Sequence, residues 1–323
     1  MRRQPYSERG HSMKHPSWTR LSGLLGALML AGILIAGCGS DDNGGEPDLI
    51  EISDFEGEWV ITQYKATWKD VPSVSLELIS LGGAMEFDLD EAGEFTGRAF
   101  IPASLAGMTL ELAAQGNMEI VTQDTIQVSF APEQPPFLTG FRGAFTLSGN
   151  TVTLYDENAE FDFDGDMQMD PSIFEGTMVK NDGSYPPIIF TEDFGGQWEA
   201  TGYTVTSDAN PAITLNTIDA GATFEFDVSP DGTALVDVFI PASLAGEDVT
   251  LDDVPAVFQL EYQDTMTIAF TPEVPPLLTN TRGFFTFEGD LYTLTDEDAL
   301  FDFGAGPEPA SAYIEIERVS GGK

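Results

Sequence analysis

"FIPASLAG" stands at Phe100–Gly107 and again, letter for letter, at Phe239–Gly246, 139 positions apart in a chain of 323 residues. Other pairs keep that spacing. "DFEGEW" (54–59) matches "DFGGQW" (193–198), and "MEFDLDEAG" (85–93) matches "FEFDVSPDG" (224–232). Beyond the octapeptide the spacing becomes 140. "PEQPP" (132–136) then pairs with "PEVPP" (272–276), "RGAFTL" (142–147) with "RGFFTF" (282–287), and "TLYDENAEFDF" (153–163) with "TLTDEDALFDF" (293–303). One inserted residue accounts for the change. The matches run through nearly all of each half, so the chain is a tandem duplication of a unit of about 130 residues, the size of one domain. The reading places a first domain at 51–180, a linker at 181–189 where Gly, Pro and polar residues cluster, and a second domain at 190–323.

Each unit is built of short runs rich in β-branched and aromatic residues, such as "EWVITQYKATW", "TIQVSFA" and "NTVTLYD", separated by Gly and acidic turn signals. No segment holds a helical period over twelve residues, and "SVSLELISLG" (73–82) reads as one short helix or a long first loop. About eight strands joined by tight turns predict an all-β unit, either an up-and-down barrel or a sandwich. The octapeptide then reads as a corner. Phe100 and Ile101 end a strand, Pro102 opens a single helical turn at its first position, and Gly107 stops it in the left-handed region. Leu105 and Leu244 are expected to point inward across a barrel rim.

The first 37 residues differ in kind. Arg2, Arg3, Arg9, Lys14 and Arg20 face a single acid, Glu8, and "LSGLLGALMLAGILIAG" follows at 21–37. A basic segment before an apolar one reads as a secretory signal, although 17 residues lie near the lower limit for a membrane span. The run ends in Ile35-Ala36-Gly37-Cys38, and Cys38 is the sole cysteine. This resembles the lipobox of bacterial lipoproteins, in which the cysteine receives lipid and becomes the mature N-terminus. The resemblance implies a cell-envelope protein held to a membrane through lipid on Cys38. Residues 38–50, rich in Gly, Asp and Pro, read as a flexible tether.

Removing residues 1–37 takes five of 13 basic residues and one of 54 acids, which changes the net charge from −41 to −45. Both histidines, His11 and His15, leave with them. Ser-His-Asp and Cys-His catalysis and Cys/His zinc sites are thereby excluded for the mature chain. No phosphate-binding glycine motif follows a strand, and the acidity opposes nucleic acid.

The opening of each unit, Phe55-Glu56-Gly57-Glu58-Trp59 and Phe194-Gly195-Gly196-Gln197-Trp198, resembles the G-x-W signature of the lipocalins. That resemblance implies two tandem antiparallel up-and-down β-barrels of lipocalin-like type. Trp59 and Trp198 would each close one barrel end, and Gly57 and Gly196 would leave room for the indoles. A basic side chain should cover each Trp. Arg318 is a candidate in the second unit, Lys180 is the counterpart on offer in the first, and Arg142 and Arg282 are the aligned alternative. The family further implies one small apolar molecule held in a barrel cavity, with barrels filled by their own side chains as the competing arrangement.

Asp162, Asp164 and Asp166 alternate in "FDFDGDMQMD", with Asp170 beyond, and could offer oxygens to Ca²⁺. The spacing is not that of an EF-hand, and the second unit lacks these acids. No other cofactor is expected. Three functions remain: an apolar-ligand carrier, an envelope scaffold recognising a protein through rim loops at 69–82 and 132–142, and a carboxylate hydrolase. The last is weakened because the acids the two units share, Asp88/Asp227 and Asp156/Asp296, read as turn or strand-end residues. The carrier, a non-enzyme, is the expected function.

Overall fold

A computed structural model of the protein describes residues 49–132, 140–163, 168–271, 280–302 and 307–319. Cys38 and the segments around it lie outside the described residues, as do 133–139 and 272–279 of the proline-rich loops.

The first unit comprises β1 (Gly57–Trp68), β2 (Ser75–Glu77), β3 (Ala84–Leu89), β4 (Glu94–Ile101), β5 (Leu110–Thr122), β6 (Thr125–Phe130), β7 (Phe141–Ser148), β8 (Thr151–Phe161) and β9 (Asp170–Lys180). All pairings are antiparallel: β1 pairs with both β2 and β3, the strands from β3 to β9 pair in sequence order, and β9 returns to pair with β1 and closes an eight-stranded barrel. The short β2 is a flap on β1, and a 3₁₀ turn at Ile79–Leu81 follows it, so 73–82 is neither a helix nor a plain loop. The second unit repeats this order as β10 (Gly196–Ser207), β11 (Thr214–Asn216), β12 (Thr223–Val228), β13 (Thr233–Ile240), β14 (Val249–Tyr262), β15 (Thr265–Phe270), β16 (Thr281–Glu288), β17 (Leu291–Asp302) and β18 (Pro307–Arg318), with β18 closing on β10. The chain is thus all-β, with two closed antiparallel eight-stranded barrels in tandem. Alternation in the sequence drives this. β12 reads exposed and buried in strict turn, so Phe224, Phe226 and Val228 enter the core while Thr223, Glu225 and Asp227 face water.

Each octapeptide forms a corner at the end of a strand. Ala103–Ala106 is one helical turn (α1), repeated at Ala242–Ala245 (α2). Pro102 is extended, at φ −69° and ψ 152°, and caps the turn from outside instead of occupying its first position. Gly107 ends it at φ 76°, a conformation natural only for glycine. Leu105 and Leu244 pack on their respective cores.

The inserted residue that changes the repeat spacing lies in β14. Pairing of β13 with β14 slips between Val236↔Val254 and Val238↔Leu251, whereas the matching stretch of β4 and β5 is regular. The extra residue bulges out, with Asp253 at φ 55° and its N–H donating to the Asp237 carboxylate at 2.8 Å.

That position matters because its counterpart in the first barrel, Arg98, joins the two barrels. Arg98 Nη1 reaches Asp193 Oδ2 at 2.7 Å and the Ile188 carbonyl at 3.2 Å, and the guanidinium lies 4.8 Å from the Phe190 ring centroid. Glu86 accepts the Ile188 N–H, and Glu111 accepts both the N–H and hydroxyl of Thr191. Gln263 clamps the Ile189 backbone from the second barrel. Phe100, from the first octapeptide, is fully buried within the second barrel's apolar cluster. The end of the expected linker is therefore a docked strap.

Candidate ligand cavity

The two barrels build their floors in the same way. The Trp59 indole N–H donates to the Phe55 carbonyl at 2.6 Å, and that of Trp198 to the Phe194 carbonyl at 2.7 Å. Both rings are buried. The carboxylates of Asp54 and Asp193 cap the preceding 3₁₀ turns by accepting the N–H groups of Glu51 and Phe190. The motif glycines serve a different purpose from the one expected. Gly57 and Gly196 adopt φ 121° and 134°, where any side chain would be strained, and a Cβ on Gly57 would fall 2.8 Å from Lys180 Cε. They let the chain turn into the first strand, and Gly57 also admits the covering Lys180.

The covering cations are Lys180 and Arg318. Lys180 Nζ lies 5.9 Å from the Trp59 ring centroid and the Arg318 guanidinium 4.5 Å from that of Trp198. They hold the same register, Trp59 opposite Lys180 and Trp198 opposite Arg318. Arg142 and Arg282, the aligned pair, are not at the floor. Arg142 is exposed on β7, and Arg282 forms an exposed ion pair with Glu261 at 2.7 Å. The sequence alignment misses the true pair because the last strand, β9 or β18, follows a loop of different length in each copy.

Above the floor the barrels diverge. The first encloses a cavity of about 100 Å³, walled by side chains that include Met85, Phe87, Met118, Phe130, Phe141 and Leu154. In the second barrel the comparable space is about 20 Å³, little more than one water. Several inward residues are larger there, while Ala234, Thr281 and Ala312 stand where the first barrel has Phe95, Phe141 and Phe174. Phe224 replaces Met85, Phe258 replaces Met118, Ile314 replaces Gly176 and Tyr292 replaces Val152. Tyr292 is wholly buried, its hydroxyl against the Met266 sulfur, and burial holds its phenol well above the usual range.

Five polar side chains that the sequence reading did not bring together line the first cavity: Gln63, Tyr64, Asp156, Glu160 and Ser172. Burial raises the Tyr64 phenol far above its ordinary value. Asp156 is buried at a bulge in the middle of β8, where its Oδ1 accepts the Asn158 N–H at 2.7 Å. Asp296 sits identically in β17 and accepts the N–H groups of Asp298 and Arg282; its carboxyl is raised, chiefly by burial. These two acids are therefore inward, mid-strand residues and not turn residues, whereas Asp88 and Asp227 are exposed. The inward Tyr64 and Tyr203 were hidden because bulges in β1 and β10, after Ile61 and Ala200, reverse which residues face inward. A fixed period of two cannot reveal them.

Of the proposed Ca²⁺ ligands, Asp164 and Asp166 lie outside the described residues. Asp170, beside them, uses Oδ2 to accept the Phe163 N–H at 3.1 Å. Among the described residues no group of three or more His, Cys, Asp or Glu side chains is arranged to hold a metal ion.

No protein-family model matches the chain, and no curated protein is similar to it at a significant level. Among solved structures, a protein of unknown function from the DUF3598 family of Nostoc punctiforme PCC 73102 is 11% identical, with a TM-score of 0.25, over 84% of this chain and 99% of that one. Kievitone hydratase from Nectria haematococca is 8% identical, with a TM-score of 0.21, over 83% of this chain and 90% of that one.

Proposed function

We propose that this protein is a lipocalin-like carrier of the bacterial envelope, anchored through lipid on Cys38, that holds one small apolar ligand in its first barrel and uses the second as a filled structural partner. The difference in cavity volume carries the reading: about 100 Å³ against about 20 Å³ in two copies of one fold. A cavity walled by Phe, Met and Leu gains free energy by exchanging water for apolar surface, whereas a core filled by Phe and Tyr gains it from its own side chains. The lipobox-like Cys38 supports the anchor. A second role, recognition of a protein by the second barrel, is favoured by its outer wall, where exposed Leu235 and Val257 stand in place of Thr96 and Asn117.

The test is native mass spectrometry of chain 38–323 carrying Cys38→Ser, purified without detergent and then offered short apolar compounds. One adduct per chain is expected. The pair Met85→Phe with Met118→Phe gives the first barrel the second barrel's own residues and should abolish it. An adduct that survives the pair, or a wild-type protein that takes up none of the compounds, overturns the reading.

A further inference from the structure

We infer that the first barrel selects a neutral apolar molecule bearing one oxygen acceptor, a ketone, aldehyde or alcohol, whose oxygen is held by the Ser172 hydroxyl. The inference rests on the carrier reading and names its ligand class. Ser172 is 0% exposed, lines the cavity, and its Oγ has no hydrogen-bond partner among the described residues. A hydroxyl stripped of water and left without a partner is costly and calls for an explanation. A ligand oxygen supplies one.

The second copy gives the contrast. Ser172 becomes Ala310, opposite Ser207 in register as Ser172 is opposite Trp68. There the Ser207 hydroxyl donates to Glu308 at 2.6 Å, so that edge satisfies itself. In the first barrel the Trp68 indole N–H is likewise buried without a partner among the described residues, with its ring stacked on Phe163. Two unspent donors thus stand opposite each other in register, Ser172 on the cavity wall and Trp68 on the neighbouring strand, and both are missing from the copy whose cavity is closed.

The charge of the ligand follows from the rest of the wall. No Lys or Arg lines the cavity among the described residues, whereas the buried Asp156 carboxyl and the more exposed Glu160 do. A carboxylate head group would enter an apolar-walled site with acids beside it and no counter-ion, in a chain of net charge −41. A neutral oxygen meets no such penalty, and an alcohol can also donate to Asp156.

The test uses the same detergent-free protein with 2-octanone, 1-octanol, octanoate and 1-octene as eight-carbon probes. The ketone and alcohol should bind at least about tenfold more tightly than octanoate. Ser172→Ala, a residue the same position already accepts in the second barrel, should weaken 2-octanone by about tenfold, one buried hydrogen bond, while leaving 1-octene and the melting temperature unchanged. Equal affinity for ketone and alkene, or a ketone affinity indifferent to Ser172→Ala, would overturn the inference and leave the carrier intact. Octanoate binding as tightly as octanol would overturn the neutral-ligand assignment. Failure of all four probes to bind the wild-type chain would instead bring down the carrier reading itself, and this inference with it.

Discussion

The two barrels share strand order, floor, corner and every bulge but the one at Asp253, yet one is hollow and the other full. The shared parts are those a closed sheet cannot do without. A tryptophan tied to a carbonyl four residues back closes the floor, glycines at positive φ enter the first strand, and a proline-capped turn rounds the rim. The divergent parts are a few inward side chains between floor and rim. A closed barrel tolerates such exchanges because its backbone hydrogen bonds are indifferent to which apolar residue fills the interior. Duplication therefore leaves one copy free to stay hollow while the other supplies a self-sufficient core.

The floor offers the harshest way to break the resemblance between the copies. Trp59→Ala and Trp198→Ala should each cost about 3–5 kcal/mol, as expected for truncating a fully buried aromatic side chain. Thermal unfolding should register similar losses in both, and a marked inequality would show that the floors are not equivalent. Next in size is the reverse exchange, Phe224→Met with Phe258→Met, which should cost about 1 kcal/mol per site. It should also open a second site, seen as a second apolar adduct per chain. A stable variant with no second adduct would mean that those two rings do not close the second barrel.

The barrel–barrel joint comes next. Arg98→Ala removes the ion pair to Asp193 and the contact with Phe190, and should cost about 1–2 kcal/mol after allowance for solvent at this half-exposed site. The clearer reading is in calorimetry, where a single transition should separate toward two. Asp237 and the bulged Asp253 occupy the matching place on the second barrel, so Asp237→Ala should leave the transition single.

Asp296 carries a sign that pH can read. Its folded carboxyl is raised by burial, so between the ordinary aspartate value and the raised one the folded state holds the extra proton. Stability from this group therefore falls as pH rises through that window. Asp296→Asn should flatten the slope, measured as melting temperature between pH 4 and 7; an unchanged slope would remove Asp296 as its source. The smallest effect belongs to Arg282→Ala. Its exposed pair with Glu261 should be worth no more than about 0.5 kcal/mol, whereas Arg318→Ala, which uncovers Trp198, should be felt more strongly in the same melting experiment.

Much of the architecture was legible along the chain. The octapeptide and its companions established duplication, turn signals and alternation established strands, and Trp59 and Trp198 marked the floors. Local chemistry suffices there because a turn, a strand face or a glycine at positive φ is decided by residues close in sequence. Lys180 could be paired with Arg318 only after β9 and β18 were laid against β1 and β10, since the loops before them differ in length. Tyr64 was concealed by a bulge that reverses the inward face, and Ser172 by the absence of any local sign that its hydroxyl would be left unpartnered. The sequence by itself determined two β units, their floors and their corners. Only the tertiary structure decided which barrel stayed open and which polar groups faced the space, because cavity volume depends on side chains from strands far apart in the chain meeting across one interior.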